Sequence, residues 1–307
     1  MRGITALVIA ITAAAPGALP ARQGEVPPAI TDTSLAFDDS AQRMTVPVTI
    51  GSTGPFAFII DTGAERTVIS RELAATLGLS AGPDVRMTAM TGTSNVGTVV
   101  IPSLNVSNIT SRPIQAPALY SEHLGAPGML GIDTLGGHAL SIDFETNRMT
   151  VRPSTKRNRP TISNGDIVVR ARSVYGQLIV TQAYYKGRRV SVIIDTGSSV
   201  SMGNSALRAR MRSELKTPLP ITLTSVTGDT LIADYTQATR LDIGGVTFNN
   251  LPIAFADVAP FRRFGLTDQP ALLLGMDALR LFRKVDVDFA NREVRFALPK
   301  GYRSNGF

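Results

Sequence analysis

With 307 residues, 43% of them hydrophobic and 18% charged, the chain is long enough for two domains of ordinary size with buried cores. It has no Cys, no Trp and only two His, His123 and His138, which excludes a disulfide framework and a Cys/His metal site. Net charge is −4 over residues 1–150 and +11 over 151–307. The basic half reads as a solvated surface, because 6% aromatics and no motif of that class argue against nucleic-acid binding.

The chain opens with MRGITALVIAITAAAPGALPARQ. Arg2 precedes an apolar run of 12 residues, Ile4 to Ala15, too short to span a bilayer comfortably, and small residues follow. Residues 1–21 are therefore expected to be a secretory signal cut near Ala18 or Ala21, the alternative being an uncleaved N-terminal anchor. The protein body is expected to be exported, in keeping with a bacterial periplasm, with no membrane span after signal cleavage. Residues 22–40 are polar and Pro-containing and read as a flexible lead-in.

A first lobe is expected over residues 41–152. MTVPVTI (44–50) and FAFIID (56–61) read as strands about a tight turn. SRELAATLGL (70–79) has a helix signature, with Ser70 as N-cap and Gly78 near the end. A Gly-rich turn, MTGTSNVG (90–97), lies between β-forming arms. IPSLNVSNIT (101–110) reads as strand, GMLGIDTL (128–135) as strand and helical turn, and LSIDFETNRMTVR (140–152) as a closing hairpin. Residues 153–165, rich in Pro, Ser, Asn and basic residues, read as a linker.

The pattern then repeats over a second lobe, 166–300, before a tail at 301–307. NSALRARMR (204–212) takes the place of the first helix, with Asn204 as a cap. TSVTGDT (224–230) matches the Gly turn, LLLGMDALRLF (272–282) the Gly element, and VDVDFANREVRF (285–296) the closing hairpin. Landmarks keep their order: Asp61 to Asp195 is 134 residues, Gly92 to Gly228 is 136, and Asp143 to Asp288 is 145.

Both halves carry an apolar run ending in Asp-Thr-Gly, at Asp61-Thr62-Gly63 and Asp195-Thr196-Gly197. Ile59-Ile60 and Ile193-Ile194 lead a buried strand directly into each acid, which a surface turn would not require. Two facing carboxylates share one proton and titrate as a pair. The ionised member can take a proton from water while the protonated member donates to a carbonyl oxygen. Each Thr hydroxyl can hydrogen-bond across to the other half, and each Gly lets the backbones approach closely. Ala64 and Ser198 follow. A Ser198 hydroxyl bond to Asp195, which Ala64 cannot mirror, is an expected asymmetry.

These residues resemble the aspartic peptidases, most closely the retropepsin-like branch. Asp61-Thr62-Gly63-Ala64-Glu65-Arg66-Thr67-Val68-Ile69 looks like the active-site strand and loop of a retroviral-type protease. The family's second element, two apolar residues then Gly, is present twice, as Met129-Leu130-Gly131 and Leu273-Leu274-Gly275. The resemblance runs from about residue 30 to residue 298. It implies an all-β fold of two tandem retropepsin-like β-barrel lobes with short helices and a cleft between them. It also implies an aspartic endopeptidase acting on a protein or peptide substrate with no cofactor and no metal, one chain serving as an internal pseudo-dimer.

Catalysis would fall to Asp61 and Asp195, with Thr62, Gly63, Ala64, Thr196, Gly197 and Ser198 in support. Thr91-Gly92 and Thr227-Gly228 would tip two flaps over the substrate. Asp133 and Asp277 depart from the Arg that retroviral enzymes usually carry nearby. They are expected to cap helices or to pair with a base such as Arg66. Asp143 and Asp288 are expected in turns or at strand edges, and His123 and His138 at the surface. Two alternatives accompany this reading: a catalytically silent peptide-binding module of the same fold, and lobes that pair with those of a second chain.

Overall fold

The computed structural model describes residues 5–7, 11–13, 44–106, 109–155 and 166–300. The lead-in, the tail and most of the linker lie outside the described residues. The chain is mostly β, with six short helices among the described residues. Two short strands come first, β1 (Thr5–Leu7) and β2 (Ile11–Ala13), inside the segment read as a signal.

The first lobe begins with β3 (Thr45–Ile50), in which Val46, Val48 and Ile50 are buried while Thr45 and Pro47 are exposed. That period-2 alternation is what a sheet with one wet face demands. β4 (Thr53–Ile60) ends in the buried Phe58-Ile59-Ile60 that carries the chain to Asp61. After β5 (Val68–Ser70) comes α1 (Arg71–Thr76), whose N-cap Ser70 accepts the Leu73 N–H through its hydroxyl at 3.1 Å.

A hairpin of β6 (Ala81–Thr88) and β7 (Thr93–Ile101) follows. The run expected as one strand over 101–110 is divided, into the end of β7, then β8 (Leu104–Val106) and β9 (Ile109–Thr110). Pro102, lacking an N–H, sits at the break. β10 (Ile114–Leu119) and α2 (Ser121–Leu124) carry no strong sequence signal. The lobe ends with β11 (Gly128–Leu130), α3 (Ile132–Leu135), β12 (His138–Asp143) and β13 (Arg148–Pro153).

The second lobe repeats this order. β14 (Asp166–Val174), β15 (Gln177–Tyr185) and β16 (Arg188–Ile194) lead to the second Asp. β17 (Met202–Gly203) precedes α4 (Ser205–Met211), where Asn204 accepts the Leu207 N–H at 2.9 Å. β18 (Leu219–Ser225) and the 14-residue β19 (Thr230–Ile243) form the second long hairpin, and β20 (Val246–Phe255) pairs along β19. Last come α5 (Ala259–Arg263), β21 (Ala271–Leu274), α6 (Met276–Leu279), β22 (Lys284–Asp288) and β23 (Glu293–Ala297).

The closing hairpins of the two lobes join. β12 pairs antiparallel with β22, giving the strand order β13-β12-β22-β23-β14 across the seam. Ser141 lies opposite Asp286, and these positions are 145 residues apart, the repeat interval of the closing hairpins. A local two-fold therefore passes between them. Leu140, Ile142, Val285 and Val287 are buried on this seam and belong to one core continuous through both lobes. At about 1.5–3 kcal/mol per fully buried aliphatic side chain, these four contribute roughly 6–12 kcal/mol to the fold as a whole, part of it across the seam. Asp143 takes its expected turn role, accepting the Thr146 N–H. Asp288 does so for Asn291 but is also fully buried and accepts the Ser154 hydroxyl at 2.8 Å, tying the end of the first lobe to the second.

Candidate active site

Each acid leaves its strand at the same place. The Asp61 N–H donates to Leu130 O at 3.0 Å and the Asp195 N–H to Leu274 O at 3.1 Å, so the two Gly elements fix both turns from behind. Gly131 and Gly275 are required by close approach. A Cβ on Gly131 would lie 2.3 Å from the backbone carbon of Arg66, and one on Gly275 2.7 Å from that of Val200.

Asp133 and Asp277 lock the same loops. Asp133 Oδ1 accepts from the Thr67 N–H and hydroxyl at 2.8 and 2.7 Å, and Asp277 accepts from the Ser201 N–H and hydroxyl at 3.0 and 2.6 Å. The expected capping role is corrected by this geometry. The N-caps of α3 and α6 are Gly131 and Gly275, which cap with no side chain. The carboxylates instead reach out from the first helical turn to the active-site loops. Arg66 exerts only the weakest charge effect on Asp133. Burial pushes both carboxyls up, Asp277 to about 6.

The two threonines reach into the opposite lobe. Thr62 Oγ1 donates to Ile194 O at 2.7 Å and accepts the Thr196 N–H at 3.1 Å. Thr196 Oγ1 donates to Ile60 O at 2.8 Å and accepts the Thr62 N–H at 3.1 Å. Four buried bonds thus brace the loops in a reciprocal, two-fold pattern.

The acids meet beside these threonines, and both are fully buried. A Cβ on Gly63 would lie 2.9 Å from Asp195 Oδ1 and 3.1 Å from Asp61 Oδ1, which limits the separation of those oxygens to about 6 Å. A Cβ on Gly197 would lie 2.2 Å from Asp61 Cγ. Each glycine leaves the space that the other lobe's carboxylate fills. The Gly63 N–H donates to Asp61 Oδ1 at 2.7 Å, and the Gly197 and Ser198 N–H groups to Asp195 Oδ1 at 3.0 and 3.2 Å. Asp195 is held well above the usual carboxylate range, first by burial and then by the charge of Asp61. Ala64 is buried, and its carbonyl accepts the Ile132 N–H at 2.9 Å, as Ser198 O accepts that of Met276 at 2.8 Å. The expected Ser198 hydroxyl bond to Asp195 is not formed. That hydroxyl donates to Val200 O at 2.6 Å, the nearer acceptor in its own turn, and the backbone N–H serves Asp195 instead.

The β6–β7 and β18–β19 hairpins bring Thr91-Gly92 and Thr227-Gly228 together at their tips. Thr91 and Thr227 both donate to Asp229 Oδ2, at 3.3 and 2.8 Å. Met90 packs into the second lobe beside Ile193, Val258 and Phe261, and its carbonyl accepts the Ala259 N–H of α5 at 3.0 Å. Val226 packs into the first lobe beside Ile59, Val68 and Met129. The tips have exchanged pockets, and both residues are 1% exposed. His123, expected at the surface, lies under the second tip. A Cβ on Gly228 would come 2.5 Å from its Cε1. α2 carries it there, a helix with little sequence signal.

Other residues that build the site were not expected. Arg263 of α5 grips Glu65 with two bonds, at 2.8 and 2.9 Å, and lies 4.1 Å over the Tyr175 ring. Burial pushes the Glu65 carboxyl up against the pull of Arg263. Gln177, fully buried at the start of β15, donates to Gly63 O at 3.1 Å. A charged residue directly after the buried Ala64 was the available signal for Glu65. Nothing in the sequence marks Arg263 or Gln177, whose partners are 198 and 114 residues away. Among the described residues no group of three or more His, Asp or Glu is arranged to hold a metal ion.

A family model described as aspartyl protease matches the chain twice, over residues 46–134 and 181–278. Comparison with curated proteins gave no match.

Proposed function

The chain belongs to the aspartyl protease family, and on that premise we propose that it is an aspartic endopeptidase that cuts extended protein segments with the Asp61–Asp195 pair. One observation carries the reading: each lobe's glycine leaves room for the other lobe's carboxylate, so two buried acids face each other closely enough for Asp61 to act on the proton affinity of Asp195. Asp195 holds that proton, because burial and the charge of Asp61 both disfavour its ionised form. Asp61 takes a proton from a water as its oxygen attacks the peptide carbonyl carbon. Asp195 gives its proton to the carbonyl oxygen, producing a neutral diol intermediate. Return of a proton from the carboxyl pair to the amide nitrogen breaks the C–N bond and releases an acid and an amine.

The flaps exclude water over a peptide and offer it backbone hydrogen bonds. The secretory reading of residues 1–21 makes the periplasm the proposed place of action, with one chain acting as an internal pseudo-dimer. Among the described residues no helix is long and apolar enough to cross a membrane.

The test is cleavage of a diverse peptide library from about pH 3 to 8 by the chain freed of its N-terminal segment, beside Asp61→Asn and Asp195→Asn. Loss of cleavage in both variants, and block of the wild type by a statine-type inhibitor, is expected. Activity surviving either substitution would refute a shared site. Absence of cleavage with retained peptide binding would favour a silent binding module.

A further inference from the structure

Bases gather at one place on the second lobe. The turn from β15 into β16 carries Lys186, Arg188 and Arg189, and α4 with the residue after it carries Arg208, Arg210 and Arg212. The fold does not ask for them. The 134-residue interval that sets Asp61 against Asp195, and the cap Ser70 against Asn204, sets these six against Ser52, Gly54, Pro55, Ala74, Thr76 and Gly78. The first lobe thus builds the equivalent turn and capped helix with a neutral residue at every one of these positions.

A hollow of about 480 Å³ lies between that turn and α4, lined by Tyr185, Lys186, Arg188, Ala206, Ala209 and Arg210. Three of these residues are bases and none is an acid. Ala206 and Ala209 are three apart on one helix face, and their small side chains leave the space. The half-buried Arg210 donates from Nη1 to Arg189 O at 3.1 Å, which holds its guanidinium against the turn. Lys186 is positioned by Glu214, whose Oε2 also accepts the Tyr185 and Thr239 hydroxyls at 2.7 and 2.8 Å. Arg208 pairs with Asp234 at 2.7 Å, but among the described residues neither Arg188 nor Arg210 has an acid within ion-pair distance. A second hollow across Lys186, of about 620 Å³, is lined by Glu214 and Asp242 as well as Arg240. Its signs are mixed, so an anion is favoured on the α4 side only.

Two unopposed guanidiniums beside an ammonium match a doubly charged oxyanion. Guanidinium offers phosphate oxygens paired N–H donors, and ammonium adds a point charge. The space is larger than a phosphate alone needs and admits one esterified to a sugar or to glycerol.

We propose that the hollow between the β15–β16 turn and α4 is a binding site for a phosphate ester, held by Lys186, Arg188 and Arg210, whether the ester is soluble or the headgroup of a lipid. Neither the catalytic acids nor the flap tips line it. The site therefore goes beyond the protease reading and stands or falls apart from it. A ligand bound there fixes where the protein sits without entering the cleft.

The test titrates the full chain with glucose 6-phosphate by calorimetry, with inorganic phosphate as competitor. In parallel the chain is sedimented with phosphatidylcholine vesicles, with and without phosphatidylglycerol. Saturable binding of the sugar phosphate, or vesicle binding that requires the anionic lipid, is expected, and whichever occurs identifies the source of the ester. Arg188→Gln with Arg210→Gln should weaken the sugar phosphate about 100-fold, at about tenfold per charged partner lost. It should weaken vesicle binding about 30-fold, at about fivefold per base. Ala206→Glu should abolish both, because it sets a carboxylate at the hollow. The first lobe's helix already carries Glu72 at that position, so the substitution suits the fold. Arg148→Gln with Arg152→Gln removes the same charge from exposed positions of β13 and should change neither. An equal loss in that variant would show only a diffuse charge effect and would overturn the proposal. So would undiminished binding by the Arg188, Arg210 variant, or no binding of any probe.

Discussion

Replacing Thr62 or Thr196 by Val tests whether the crossed threonines hold the two half-sites together. Valine keeps the shape and removes only the hydroxyl. Thr62→Val deletes the bond to Ile194 O and strands the Thr196 N–H, with every group involved buried. An orphaned buried donor costs about 1–3 kcal/mol, and a carbonyl that loses one of two possible partners costs less. The sum is about 2–4 kcal/mol. Thr196→Val should cost the same within about 1 kcal/mol, because it deletes the mirror-image bonds to Ile60 O and the Thr62 N–H. Urea unfolding of both variants measures this directly, and peptidase assays should show kcat falling in parallel as the acids lose their spacing. A loss below about 1 kcal/mol in either variant would refute the reasoning. So would a large difference between the two, since the bracing is argued from its symmetry.

Gly197→Ala places a methyl 2.2 Å from Asp61 Cγ and should cut kcat/KM by about 100-fold or more, while Gly63→Ala, with 2.9 Å to Asp195 Oδ1, should cost less. Steady-state kinetics of the pair would contradict the packing argument if the order were reversed. The alkaline limb of the kcat/KM profile should lie above the ordinary Asp value of about 3.9, because activity lasts until the raised Asp195 carboxyl loses its proton. A limb at or below about pH 4 would reject that assignment. Asp277, pushed up to about 6, holds its proton in the fold after the unfolded chain has released it. Stability should therefore fall as pH rises from about 4 to 6, by about 3 kcal/mol from this group. Asp277→Asn should flatten that slope in denaturation curves, and an unchanged slope would show that the group titrates normally.

Much of this architecture was legible because the duplication writes each signal twice. The paired Asp-Thr-Gly runs, the paired Gly elements, and the caps Ser70 and Asn204 are local patterns, and local patterns survive in a bare sequence. What stayed hidden depends on how the lobes meet. Asp133 and Asp277 look like ordinary first-turn acids until their loops are seen folding back onto them. Met90 and Val226 look like generic apolar residues beside a Gly turn, and only the meeting of the hairpins makes each a plug for the other lobe. The Glu65–Arg263 grip joins residues 198 apart in different lobes, and no propensity or period encodes it.

The exchanged flap tips also impose a population limit on access. Opening the cleft returns Met90 and Val226 to water, at about 1.5–3 kcal/mol each, or roughly 3–6 kcal/mol for the pair. Only about one molecule in 160 to one in 25,000 would then stand open at a given moment, and a ligand that enters only the open form has its apparent affinity lowered by that fraction. Because each plug sits in the other lobe, withdrawing one removes a wall from the other's pocket, which favours concerted opening. A substrate whose own apolar side chains refill the two pockets recovers the energy spent on opening, whereas a polar one does not. On the proposed peptidase reading, the gate would favour peptides that carry apolar side chains.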